Sequence, residues 1–447
     1  MERVTNRDKE ARPTTVPEAK QVGEVRAHWA WTEPCVWTER MLTALETGVK
    51  GGVWFSLIDK VSAPRVLRRA FEQVKENGGA AGVDHQTIAM YEQRLEEHIE
   101  YLAQALKEGS YQAALVRRVM IPKPGSSEKR PLGIPTVRDR VVQTALRMTI
   151  EPIFEREFAE QSYGFRPGRS CHKALRRVDY LLKEGYGWVV DADLQKFFDT
   201  ILHEVLMQLV AERIADGRVL KLMQQYLEQG VLDNMREWQP ETGTPQGAVI
   251  SPLLSNIYLN PLDHLLAASG IEMVRYADDF VLLCRSQDEA QQALAMVQQW
   301  TITVGLMLHP EKTRIVDATQ PGGFDFLGYH FERGYKWPRQ KSMQKFKDTI
   351  RAKTKRTNGQ SLQVIISNVN RSARGWFGYF RYSHYTTFDR LDGWLRGRLR
   401  SLLRRRQKLG GRATYRDHLK WPNDFFTTQG LYSFVAAHDA VRQSLTR

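Results

Sequence analysis

The sequence predicts an α+β protein in which a helical N-terminal segment and a basic, helical C-terminal segment flank a centre of mixed strands and helices. Apolar residues recur at helical spacing from about residue 36 to 110, as in APRVLRRAFEQVKE and QRLEEHIEYLAQAL. Between 111 and 330, short β-forming runs such as WVV and FVLLC alternate with helical stretches, and beyond 331 the helical period returns. With 447 residues, 42% of them apolar, the chain can bury more than one core, since domains usually run to about 100 to 200 residues.

Residues 1 to 35 begin polar, Pro-containing and without period, which predicts a disordered arm before the helical segment at 36–110. In the centre, Ser286 and Glu289 form a capping box ahead of the apolar stripe of SQDEAQQALAMVQQW. In the segment 331–447, Leu362, Ile365, Ile366, Val369, Ala373, Trp376, Phe377 and Phe380 share one helix face. Phe388, Leu391, Leu395, Leu399 and Leu402 share another. Cys35, Cys171 and Cys284 lie far apart, which predicts reduced thiols rather than a metal or redox motif. No apolar run approaches the roughly 18 residues of a membrane span, so the reading is cytoplasmic, with no membrane partner.

The charge is uneven. Residues 331 to 420 hold 24 Lys plus Arg against 5 Asp plus Glu, a balance of 24 − 5 = +19, while the whole chain carries +14. The remainder therefore sums to 14 − 19 = −5. A basic segment on a slightly acidic body points to a phosphate polymer, whose binding gains from counterion release; a well-solvated charged surface is the alternative.

RYADDFVLLC, residues 275 to 284, places Asp278 and Asp279 between two strand-like runs, so ADD reads as the turn of a hairpin with a positive group expected nearby. Neighbouring carboxylates share a proton or bind a cation, although Asp-Asp is also ordinary turn chemistry. WVVDADLQKFFDTI, residues 188 to 201, adds Asp191 and Asp193 on one face of a buried strand. Three carboxylates meeting at one point would make an oxygen-lined site suited to Mg²⁺ and to two-metal phosphoryl transfer.

RPLGIPTVRDRVVQ (130–143), QSYGFRPGRSCHKAL (161–175), DADLQKFFD (191–199), GTPQGAVISPLLSNIYLNPLD (243–263), YADD (276–279), HPEKT (309–313) and FDFLGYHF (324–331) follow one another in an order that resembles the reverse transcriptase/maturase proteins encoded by bacterial group II introns. RGWFGYFRY (374–382) is similar to the start of their thumb or maturase region, and WTERMLTALETGVKGGVWFSLIDKV to their N-terminal extension. The resemblance implies a right-hand polymerase fold: fingers and palm over 111–330, with an antiparallel palm sheet, and a helical thumb over 331–447. It implies Asp193, Asp278 and Asp279 as catalytic ligands of two Mg²⁺ ions, with Asp191 a strand neighbour. Phe198 matches the ring that crowds the sugar 2′ position. Lys123 and Arg130 match the fingers hairpin that closes on the dNTP, and Gln246 the lining of the nucleotide site. Ala248 stands where the family commonly has a further glycine.

Arg166 and Arg169 are candidates for template or primer phosphates, and Ser170 for a helix cap. Lys312 could serve pyrophosphate or pair with Glu311. Arg396, Arg398, Arg400, Arg404, Arg405 and Arg406 are expected to turn away from the leucine stripe and grip template-primer duplex or structured RNA. His172 reads as a surface or capping histidine. The resemblance is to the shorter members without a nuclease segment. It implies an RNA-directed DNA polymerase that copies RNA from a DNA primer or target end and binds intron RNA to assist splicing and retrohoming. A related polymerase recruited to DNA repair or phage defence, and a non-catalytic RNA-binding splicing factor, are the competing readings.

Overall fold

The computed structural model describes residues 22–49, 51–122, 129–233, 236–238, 243, 247–411 and 414–445. Strands β1 (Val116–Pro122), β2 (Lys129–Ile134), β4 (Val231–Asp233) and β5 (Arg236–Trp238) form one sheet in the order β2-β1-β4-β5, in which β1 and β4 run parallel. A second sheet combines β3 (Trp188–Asp193), β6 (Glu272–Tyr276), β7 (Asp279–Cys284) and β8 (Arg314–Asp317) in the order β6-β7-β3-β8, with every neighbour antiparallel. A third, smaller sheet is the antiparallel β9 (Phe324–Phe326), β10 (Tyr329–Glu332) and β11 (Tyr335–Pro338).

The second sheet is sandwiched. Side chains alternate along a strand, and directly opposed residues of antiparallel strands share a face. Val190, Ala192, Phe280 and Leu282 point into the large core shared with helices Ser251–Ala268 and Gln287–Thr303. Val189, Val281 and Leu283 point the other way, onto helix Cys171–Lys183 and the aromatic side chains of β9 and β10. That second face is apolar at one end only. One and two steps further along, it carries the carboxylates.

The N-terminal helices are not a separate unit. Val66, Leu67, Ala70 and Phe71 of helix Pro64–Asn77 and Ile99 and Leu102 of helix Leu95–Glu108 are buried in the same core as Val141, Ala145 and Leu146 of helix Val137–Glu155. Two boundaries of the sequence reading change. Residues 22–28 form a helix with Val25 and Trp29 buried, so the arm expected over 1–35 is ordered where described. The step from strand to helix falls after β11 rather than at 331, because β10 spans that position and the long helices start at Gln340. Tyr329 and Phe331, which pack beneath the carboxylate-bearing sheet, hold that hairpin to the centre of the protein.

The C-terminal helices Gln340–Lys353, Leu362–Phe380 and Thr386–Arg406 enclose their own core. The two apolar stripes read from the sequence meet there. Phe377 lies edge-on to Phe388, and Trp376 stacks on Phe346 with ring centres 4.7 Å apart. Cys35, Cys171 and Cys284 are free thiols, and no helix of the described residues is long and apolar enough to cross a membrane.

Candidate active site

β3 and β7 run antiparallel with Asp193 directly opposite Asp279, Asp191 opposite Val281 and Val189 opposite Leu283. This register puts both aspartates of β3 and Asp279 on one face. Asp278 occupies the turn joining β6 to β7, where Ala277 takes a left-handed conformation with φ of 61°. The tight reversal lets consecutive residues serve one locus, which a straight strand forbids.

The charges interact as their proximity requires. Asp279 meets solvent at the sheet's end, yet the protein packed around its carboxyl, reinforced by Asp278, Asp191 and Asp193, pushes it up to about 7. Burial, with help from Asp193, raises Asp278, and burial raises Asp191 against the opposing pull of Arg314. Lys312 Nζ donates to Asp193 Oδ2 at 2.6 Å, so this lysine pairs with the aspartate and not with Glu311. Arg314 lies 3.3 Å from Asp191. Among the described residues no group of three or more His, Cys, Asp or Glu is drawn together closely enough to enclose an ion. The donor set nonetheless suits a hard dication: anionic oxygens that raise one another's pKa are relieved by a bound positive charge.

A buried cation holds the turn, although its salt bridge is to Asp263 and not to the paired acids themselves. Arg275 is fully buried; its guanidinium donates through Nε to Asp263 Oδ1 at 2.7 Å, through its second terminal nitrogen to Asp263 Oδ2, and to Asn256 Oδ1 and the Ala277 carbonyl at 3.0 and 2.9 Å. Asn256 donates in turn to the Gly164 carbonyl at 2.8 Å. The loop 161–164 lies along β6, with Tyr163 N donating to Arg275 O and Arg275 N to Gln161 O. At Gly164 a Cβ would stand 2.3 Å from Ala277 N, so only glycine lets this loop back the acidic turn. Sequence reasoning quoted Arg275, Asn256, Asp263 and Gly164 inside its motifs without assigning them this task. An arginine and an aspartate in otherwise apolar runs were the available signal.

Phe197 is buried and meets Phe198 edge-on with ring centres 5.2 Å apart, while Phe198 is half-buried. Arg130 is exposed on β2, opposite Ile121. Lys123 and Gln246 lie outside the described residues. Gly243 has φ of 91° and a Cβ there would stand 2.6 Å from Phe198 O, so this glycine accommodates the protein's own backbone beside the Phe197–Phe198 pair.

Two of the arginines expected at phosphate, Arg166 and Arg400, are buried in the protein instead, and the others have protein partners or lie exposed. Arg166 is buried, its guanidinium taken up by Glu155 at 2.8 Å and by the carbonyls of Ala159 and Ser162. Its charge neutralises a half-buried carboxylate and its donors satisfy a turn, which leaves none for phosphate. Arg169 pairs with Glu160 at 2.6 Å. Arg400 is buried and donates to Trp421 O and Asn423 Oδ1, Arg398 to the hydroxyl and carbonyl of Thr354, and Arg404 to Asp417 and Gly410 O. Arg396 stands 3.9 Å from Asp392. Arg405 and Arg406 are exposed, Arg406 also donating to Asn358 O. The cause is the angular width of the apolar stripe: arginines at its border fold back over the bundle and cap its loops. His172 is likewise half-buried, its Nε2 2.8 Å from Tyr379 O, where it ties the central domain to the C-terminal helices.

An antiparallel sheet whose exposed end gathers aspartates from a strand and a neighbouring hairpin turn, in a chain that also carries a β-hairpin sheet and a basic helical bundle, defines a template-directed polymerase of the right-hand type. The family model described as "Reverse transcriptase (RNA-dependent DNA polymerase)" matches residues 121–331, and "Group II intron, maturase-specific domain" matches residues 343–421. Protein YkfC of Escherichia coli (strain K12) is 34% identical over 348 residues, 69% of this chain and 86% of that protein. Group II intron-encoded protein LtrA of Lactococcus lactis subsp. cremoris is 39% identical over 205 residues, 45% of this chain and 33% of LtrA, so the match spans only a third of that relative. A partial Cas6-RT-Cas1–Cas2 complex matches 56% of this chain and 42% of its own at 26% identity and a TM-score of 0.37, too loose a likeness to bear on function. The chain belongs to the group II intron reverse transcriptase/maturase family. Its first domain is that of an RNA-directed DNA polymerase, which implies divalent-metal catalysis, and the two domains together imply RNA as template and as bound intron.

Proposed function

We propose that the chain extends the 3′-hydroxyl of a DNA primer along an RNA template with dNTPs, and that it binds intron RNA to assist splicing and retrohoming. The observation that carries the reading is the register of Asp193 against Asp279 with Asp278 in the adjoining turn. These three residues would hold two Mg²⁺ ions, which when bound supply Lewis-acid stabilisation of the attacking and leaving oxygens.

The chain's own groups then have separable tasks. Asp193, Asp278 and Asp279 present the anionic oxygens. Arg275 fixes the turn that aims Asp278 through its bond to Ala277 O. Lys312 holds Asp193 by its Oδ2 and brings a positive charge to the same locus. Phe198, which packs edge-on to Phe197, is assigned to crowd a sugar 2′-hydroxyl, and the exposed Arg130 to grip phosphate oxygens in pairs. Lys123 and Gln246 are assigned to the nucleotide, and Arg405 and Arg406 to nucleic-acid backbone.

Primer extension on an RNA template tests this. Asp278→Asn should abolish extension while leaving RNA affinity within about twofold, because the carboxylate contributes to transition-state stabilisation rather than to template binding. Extension at the wild-type rate in that variant overturns the site.

A further inference from the structure

A cavity of about 420 Å³ lies where the palm meets the thumb, apart from the carboxylates. Its walls are the tip of the β10–β11 hairpin, the end of helix Cys171–Lys183, the loop 381–385 and helix Phe434–Leu445. A volume of this size falls within the range of small-ligand sites, about 300 to 1,000 Å³.

Its lining combines ring faces with positive charge. Tyr335 and Tyr385 are 55% and 59% exposed, and both rings lie against His384, with centres 4.9 and 4.7 Å away. His384 N donates to Lys336 O at 2.8 Å, which fixes these aromatics to one another across the two elements. Lys183 and Lys336 share the single carboxylate of Asp179 at 3.2 and 3.0 Å, leaving one excess charge at the rim. Arg381 adds another; its Nε is buried and has no partner among the described residues, and its guanidinium lies over Tyr382.

We propose that this cavity binds one unstacked nucleotide of single-stranded RNA, the base against Tyr335 and Tyr385 and the flanking phosphate on Arg381 and the lysine pair. Exposed ring faces need an unpaired base, since a duplex has its bases stacked inside, and the excess positive charge selects a polyanion over a peptide. The proposal rests on the RNA-binding reading above and adds to it a site remote from polymerisation.

The test uses the full chain and a short single-stranded RNA carrying 5-iodouridine, which photocrosslinks to rings it stacks on. Crosslinks are expected at Tyr335 or Tyr385. The double variant Tyr335→Ala, Tyr385→Ala should bind the RNA about tenfold more weakly, and the double Phe variant within about twofold of the parent, because stacking needs the ring and not the hydroxyl. Both rings are mostly in solvent, so their removal should leave extension of a preformed RNA–DNA template-primer unchanged. Unaltered RNA affinity in the Ala variant, or an equal loss in the Phe variant, overturns the proposal. An equal loss for single-stranded DNA of the same sequence overturns its RNA assignment. A chain that extends no primer yet shows the expected Ala and Phe contrast sinks the polymerase reading and leaves the pocket standing.

Discussion

At Asp279, crowding by the surrounding protein and three neighbouring carboxylates push the carboxyl up to about 7, well above the usual carboxylate range, although the residue also meets solvent. A folded-state pKa above the unfolded one means that the folded protein binds the extra proton. The stability this contributes is complete below the unfolded value and is lost as pH rises through about 7. In chelator, the denaturant midpoint should therefore fall between about pH 5 and about pH 8, and millimolar Mg²⁺ should recover it at the upper end. A midpoint indifferent to Mg²⁺ at that pH would show that the trio does not hold the ion. Phe198→Ala should raise ribonucleotide incorporation relative to deoxynucleotide by tenfold or more, of the order that one lost steric contact supplies, measured as the ratio of kcat/KM values.

Among elements, the turn between β6 and β7 depends on partners distant in sequence. Asp263→Ala would leave the Arg275 guanidinium buried without its carboxylate, and breaking a buried pair in this way costs about 3 to 5 kcal/mol, readable as a lowered denaturant midpoint. Gly164→Ala is the subtler probe: the new methyl collides with Ala277 N, so extension should drop at least tenfold while RNA affinity holds. Unchanged extension would mean that the turn tolerates displacement. Much of this was legible beforehand. The strands around ADD, the Ser286 cap, whose hydroxyl accepts from Glu289 N, and the two apolar stripes of the C-terminal helices follow from local pattern. What pattern could not give was the fate of polar side chains. The Glu289 carboxylate reaches Arg285 N instead of Ser286, and Arg166 and Arg400 turn inward, because each destination is set by how the adjoining turn or loop folds back, which hydropathy pattern does not encode.

For the whole molecule, charge separates into structural and available fractions. Arg405→Ala should flatten the log–log dependence of RNA affinity on salt by up to about one unit, whereas Arg400→Ala should lower stability and leave that slope alone. If both variants behave alike, burial is a poor guide to which cations meet RNA. The carboxylates Asp193 and Asp279 become neighbours only when β3 and β7 have paired, with helices Ser251–Ala268 and Gln287–Thr303 packed behind them. Pairings between such remote stretches are the slow part of folding, because loop entropy is spent before contacts repay it. Tight divalent-ion uptake should accordingly mark the last stage of maturation of a nascent chain, so that immature copies released from the ribosome could hold RNA through finished helices while remaining unable to write DNA.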